Sequence, residues 1–141
     1  MTQNGSSEYY ITSVEHQQFL SDAKDNGVLP PYPIFTITKR EGVNTYTIKV
    51  NGNTIRNLDN CVSSFEDRHT EEWIITFREA HRPYTVERKG EGGLAWTAPW
   101  LEPKKPNPLQ ILCEPLIGNL SDPPQFDPAH LFKFELAKRV K

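Results

Sequence analysis

The chain has 141 residues, a formal net charge of −2 from 16 Lys+Arg against 18 Asp+Glu, 36% hydrophobic and 11% aromatic residues, and 12 Pro. That length makes one domain, residues 1–141, in which roughly two-thirds of the unfolded surface is buried. The charge balance excludes an overall electrostatic grip on nucleic acid, which needs a surplus of Lys and Arg, and no apolar run approaches the roughly 18 residues of a membrane span.

From the N-terminus, residues 1–7 are polar, with no charged start leading into an apolar stretch, so no secretion signal is expected. Cys61 and Cys113 are too few for a disulfide scaffold and are expected as free thiols of a cytoplasmic protein. Short runs rich in β-branched and aromatic residues follow one another at 9–14, 34–38, 45–50, 73–77 and 84–87, each bounded by Gly, Pro, Asn or charge clusters. Several alternate apolar and polar residues, as half-buried strands do because successive side chains point to opposite faces. Residues 99–128 hold 8 of the 12 prolines. One strand, 109–113, is expected there, and irregular loop around it, because Pro has no N–H for a ladder. Residues 129–141 fit a helix, yet Phe132, Phe134 and Leu136 at period two also fit a strand.

Self-similarity carries the most information. Phe35-Thr36-Ile37 is followed eleven residues later by Tyr46-Thr47-Ile48, and Trp73-Ile74-Ile75 is followed eleven residues later by Tyr84-Thr85-Val86. The two hairpins are offset by 38 residues. A third tyrosine unit is Tyr9-Tyr10-Ile11, 37 residues before Tyr46, and a third aromatic unit is Phe132-Lys133-Phe134 at the other end. Three repeats closed into a ring and cut inside one hairpin give this arrangement. The last strand should then pair antiparallel with the first, and closure removes exposed sheet edges.

Signals for an enzyme are thin. There is no Gly-x-Ser-x-Gly, no phosphate-binding Gly loop and no His-Glu-x-x-His. His69-Thr70-Glu71-Glu72 is expected to be a solvated charge cluster and not a metal site. Trp73, opening a periodic strand, is expected in the core. Trp96 and Trp100 are the residues able to stack on a sugar in a lectin-like reading, although no Gln-x-Trp unit repeats along the chain. No cofactor and no metal are expected.

The pattern resembles a β-trefoil, an all-β fold of pseudo-threefold symmetry with about twelve strands in a barrel and a hairpin cap. Glu8-Tyr9-Tyr10-Ile11, the run from Arg82 to Arg88, Leu94-Ala95-Trp96-Thr97-Ala98-Pro99, and Pro123-Pro124-Gln125-Phe126-Asp127-Pro128 before Leu131-Phe132-Lys133-Phe134 are similar to the cospin-like protease inhibitors of mushrooms, relatives of the mycocypins. The resemblance implies a small, cytoplasmic, non-enzymatic fungal defence protein. It would inhibit serine proteases of the trypsin type through an exposed loop in a reversible, substrate-like complex, with a second protease class engaged through another loop as a further possibility. The alternative from another class is a carbohydrate-binding trefoil lectin.

The resemblance puts the inhibitory loop between the second and third strands, at Lys24, Asp25, Asn26 and Gly27. It is polar, contains Gly and is followed by Pro30 and Pro31, as an exposed loop with a stiffened exit would be. Asn26 is the nearest match to the asparagine that cospin-like proteins insert into the primary pocket. Lys24 is the better electrostatic match to an acidic pocket. Two alternatives stand beside it. Lys39 and Arg40 occupy the hairpin tip where plant Kunitz-type trefoils present a basic residue. Asn51 and Asn53 flank Gly52, where mycocypin-like proteins use an asparagine against asparaginyl endopeptidase. Each has an ordinary turn as its competing explanation, and Asn-Gly in particular is a common turn dipeptide.

Overall fold

The computed structural model describes residues 5–20, 33–78, 83–90, 93–99, 110–118 and 124–137. Within them lie β1 (Ser6–Ser13), β2 (Gln18–Phe19), β3 (Phe35–Lys39), β4 (Thr45–Val50), β5 (Asn53–Leu58), β6 (Cys61–Phe65), β7 (Glu72–Phe77), β8 (Tyr84–Arg88), β9 (Leu94–Thr97), β10 (Leu112–Pro115) and β11 (Phe132–Leu136), with one 3-10 turn at Pro128–His130. The pairings are antiparallel. Following them from β1 through β3, β4, β5, β6, β10, β9, β8 and β11 returns to β1, a closed ring of nine strands. β7 bridges that ring by pairing with both β4 and β8, so β1, β3, β4, β7, β8 and β11 also close on themselves. The fold is an all-β, closed antiparallel barrel, and closure leaves the ring without a free edge.

Three pairs of strands in the inner ring share one register. Across β3 and β4, Phe35 faces Val50, Ile37 faces Ile48 and Lys39 faces Tyr46. Across β7 and β8, Trp73 faces Arg88, Ile75 faces Val86 and Phe77 faces Tyr84. Across β11 and β1, Phe132 faces Ser13, Phe134 faces Ile11 and Leu136 faces Tyr9. Each pair ends in the same bond: Arg40 N–H donates to Thr45 O, Arg78 N–H to Pro83 O and Ala137 N–H to Glu8 O, all at 2.9 Å. Neighbouring pairs are joined alike, with Tyr9 opposite Phe35, Tyr46 opposite Trp73 and Tyr84 opposite Phe132. The tyrosine and aromatic units of the sequence are thus the corresponding positions of three hairpins. Within the C-terminal stretch, Phe132–Leu136 is a strand on β1, as ring closure requires, and not a helix.

The turns explain why neighbouring strands meet in register. β4 and β5 are joined by Asn51-Gly52, β5 and β6 by Asp59-Asn60, and all four residues have positive φ (52°, 77°, 50° and 62°). Two-residue hairpins of the I′ type, which match the twist of the strands, have positive φ at both central positions, and Asn, Asp and Gly reach it at least cost. The interior is filled by Ile11, Ile37, Ile48, Val86, Trp73, Trp96 and Phe132, all essentially without solvent contact. Trp96 meets Trp73 and Phe132 edge to face, with centroids 5.6 and 5.7 Å apart, the arrangement that the ring quadrupoles favour.

Two local expectations are revised. The strand in the Pro-rich stretch runs Leu112–Pro115, later than 109–113. Val62 N–H does reach Ile111 O (2.8 Å), but the Gln110 side-chain amide also donates to the carbonyls of Val62 and Ile111, so side-chain bonds hold this approach instead of a continued ladder. Pro115 is accommodated as the final strand residue, opposite Leu94. The cluster before Trp73 is not simply solvated: Glu71 accepts from Asn57 N–H (2.9 Å) and from Arg88 Nε (2.8 Å), pinning β5 to β8.

Both cysteines are free. Burial pushes the Cys113 thiol up to about 12, while Cys61 is half-buried. A thiol reagent near neutral pH, without reductant, is expected to modify Cys61 in the native protein and both residues after denaturation. Recovery of no thiol after denaturation would instead mean a bridge. The folded Cys113 keeps its proton to higher pH than an unfolded thiol. Its contribution to stability is therefore complete below the unfolded value and is lost as the pH rises from there towards 12.

Candidate functional site

Lys24, Asp25, Asn26 and Gly27 lie outside the described residues. The described flanks are both fixed to β1. On the near side Phe19 pairs with Thr12 and Gln18 with Ser13, Leu20 N–H donates to Ile11 O (2.7 Å), and the Phe19 ring packs edge-on against Tyr10. On the far side Phe35 pairs with Tyr9 and Val50. Both described flanks are therefore paired to the same strand, a base that does not have to be ordered when a partner binds.

The tip 40–44 is closed by its own residues. Lys39 Nζ donates to the carbonyls of Arg40 (2.6 Å) and Gly42 (2.7 Å) and lies 5.4 Å from the centre of the Tyr46 ring. Thr45 Oγ1 donates to Val43 O (3.1 Å). Gly42 has φ 106°, and a Cβ there would come within 2.8 Å of Thr45 Oγ1, so the turn needs glycine. Arg40 Nε lies 3.5 Å from Glu72, whose other oxygen accepts from Lys89 (3.0 Å). The hydrogen bond from Lys89, with the charges of Lys89 and Arg40, holds the Glu72 carboxyl below its ordinary range. Lys39 thus spends two of its three donors on the turn, and Arg40 faces a carboxylate already engaged by Lys89.

Asn51 and Asn53 fall on either side of the β4–β5 turn. Asn51 is exposed but in the left-handed region, and Asn53 is the first residue of β5, opposite Val50. Neither is on extended, unpaired backbone of the kind a protease cleft accepts. Of the residues able to stack on a sugar, Trp96 is 1% exposed, and Trp73, expected in the core, is fully buried there, with its Nε1–H donating to Ile55 O (3.1 Å). Both rings are closed to a sugar. Trp100 lies outside the described residues.

Nothing in the local sequence marks the role of Arg78. Its guanidinium donates to Thr85 Oγ1 (2.9 Å) and Glu87 Oε1 (3.0 Å) and covers the Phe126 ring at 4.5 Å. The end of β7 is thereby tied to the segment that follows β10 across a separation of 48 residues, a pairing no spacing rule detects. Among the described residues, no group of three or more His, Cys, Asp and Glu is placed to hold a metal ion, and no helix is long and apolar enough to cross a membrane.

A closed barrel is a rigid frame that positions the connections between its strands, and binding contacts are disproportionately carried on such connections. The family model for peptidase inhibitor I66 matches residues 2–136, and the chain belongs to that family. It is a protease inhibitor and not an enzyme. A proteinase inhibitor from Coprinopsis cinerea, solved at high resolution, has the same fold: the TM-score is 0.76 over 94% of this chain and 98% of that one, at 19% identity. No curated protein matches the sequence.

Proposed function

We propose that the chain is a β-trefoil inhibitor of trypsin-like serine proteases, of the cospin-like kind. It occupies the protease cleft through the loop holding Lys24, Asp25, Asn26 and Gly27, in a reversible, substrate-like complex. The common register of the three strand pairs supports the trefoil reading. The choice of loop is carried by the condition of its rivals: Lys39 is bonded into its own turn, while Asn51 and Asn53 belong to a two-residue hairpin. The partner is a protease with an acidic primary pocket, and binding requires no cofactor. The free thiols of Cys61 and Cys113 suit a cytoplasmic defence protein.

Titration of trypsin tests this. Activity is expected to fall stoichiometrically and to recover on dilution, without a covalent adduct. Lys39→Ala and Arg40→Ala should leave the inhibition constant within about twofold, as exposed substitutions away from a binding site do. A protein that leaves every trypsin-like protease fully active sinks the proposal.

A further inference from the structure

A segment that enters a protease cleft in the manner of a substrate must be extended, held on both sides of the inserted residue, and leave that side chain in solvent. Among the described residues, Ile117 directly follows a strand, is held on both sides and leaves its side chain in solvent. We infer that residues 114–118 form a second protease-binding edge that presents Ile117 to a serine protease with a small, apolar primary pocket of the elastase type. This rests on the reading of the chain as a serine-protease inhibitor and adds a second, separately testable contact to it.

On the N-terminal side, β10 runs along β9 from Leu112 opposite Thr97 to Pro115 opposite Leu94. Leu116 N–H extends that attachment by donating to Gly93 O at 2.6 Å. On the C-terminal side, Gly118 forms an antiparallel bridge with Phe126. Between these two attachments Ile117 is 73% exposed. The second attachment is tight: a Cβ on Gly118 would lie 2.7 Å from Phe126 Cε1. The Phe126 ring is in turn covered by the Arg78 guanidinium, which Thr85 and Glu87 of β8 hold in place. The backbone immediately after Ile117 therefore rests, through one aromatic ring and one arginine, on the barrel.

The other large apolar residues in solvent lack this combination. Val43 is exposed but sits between Gly42 and Asn44, both at positive φ, in a wound tip. Phe77 and Leu136 are inside barrel strands with their backbones paired to Tyr84 and Tyr9. Leu58 directly precedes the Asp59-Asn60 turn and is paired with Cys61. Ile34 is the least exposed of the set. The chemistry of Ile117 also selects the partner. An uncharged, β-branched side chain gains nothing from the carboxylate of a trypsin-type pocket and is suited to a small apolar one. Its stiffness, with Pro115 two residues earlier, lowers the ordering cost of binding.

The test uses pancreatic elastase and trypsin side by side, with the wild-type protein, Ile117→Glu and Ile117→Val. Wild type is expected to inhibit elastase, and to do so even when already saturated with trypsin. Ile117→Glu should raise the elastase inhibition constant by at least about 30-fold, because it removes the anchor of the contact, and leave trypsin inhibition and the melting temperature unchanged. Ile117→Val should stay within about threefold, since only one methylene is lost. Inhibition of trypsin without inhibition of elastase overturns this inference and leaves the trypsin reading intact. Equal elastase inhibition by wild type and Ile117→Glu also overturns it. Inhibition of neither enzyme removes both readings together.

Discussion

Trp73→Ala is expected to lower the stability of the barrel by about 3–5 kcal/mol, the range for removing a buried indole. The side chain has no solvent exposure. Three separate contacts are lost with it: the Nε1–H bond to Ile55 O, the edge-to-face contact with Trp96, and the packing at the β4–β7 junction where Trp73 faces Tyr46. The Ile55 carbonyl is left without its indole donor as well, which adds to the cavity cost. Against a total stability of roughly 5–15 kcal/mol this is a large share. The melting temperature should fall by roughly 10–20 °C. Trp73→Phe keeps most of the volume and should cost about half as much or less. Phe77→Ala, half-exposed in the same strand, should cost under about 1 kcal/mol. Urea unfolding of the three variants checks the order. A Trp73→Ala protein as stable as Phe77→Ala would show that this junction does not hold the ring closed.

The frame of the fold was legible because its repeats are written in large side chains at fixed spacing. Phe35, Trp73 and Phe132, with Tyr46, Tyr84 and Tyr9, turned out to be equivalent positions, and their placement at both termini correctly implied that β11 pairs with β1. Period-two patterning marked the half-buried strands, since an aromatic or β-branched residue at every second position has to face one side of a sheet. Local turn chemistry was also readable: Asn51-Gly52 was recognised as a turn signal, and its positive φ values are the reason.

What the sequence concealed depends on contacts between distant residues. Glu71 and Glu72 look alike as neighbours in a charge cluster. One is fastened to Asn57 and Arg88, while the other meets Lys89 and Arg40. Arg78 looks like one more charge on a hairpin tip, yet it stacks on Phe126. Lys39 and Arg40 look like alternative anchors, yet the Lys39 ammonium is bonded to two carbonyls of its own turn. Trp96 read as an available platform because nothing local marks it as interior. It is buried by rings supplied from β7 and β11. For a binding protein this division is to be expected. The frame is encoded by patterning, whereas the usefulness of a loop depends on which of its polar groups are already committed.

The loop of Lys24 to Gly27 carries the largest functional prediction. In a substrate-like complex one side chain fills the primary pocket and dominates the binding energy, so its removal costs about 2–4 kcal/mol, or roughly 30- to 1,000-fold in affinity. Asn26→Ala is expected to raise the inhibition constant for trypsin at least tenfold if the asparagine is the anchor. Lys24→Ala should do so if the ammonium is, by loss of its pairing with the pocket carboxylate. Comparing the two variants separates the readings, because a residue at the rim of the contact changes affinity little. Neither should move the melting temperature by more than a few degrees, since the flanks of the loop are fixed to β1 by Gln18, Phe19, Leu20 and Phe35 whatever lies between them. That independence makes the result interpretable: lost inhibition with unchanged melting is a loss of contact and not of fold. Should wild type inhibit trypsin and both variants inhibit it equally well, the loop is not the trypsin site, and the tip at Lys39 and Arg40 becomes the next segment to substitute.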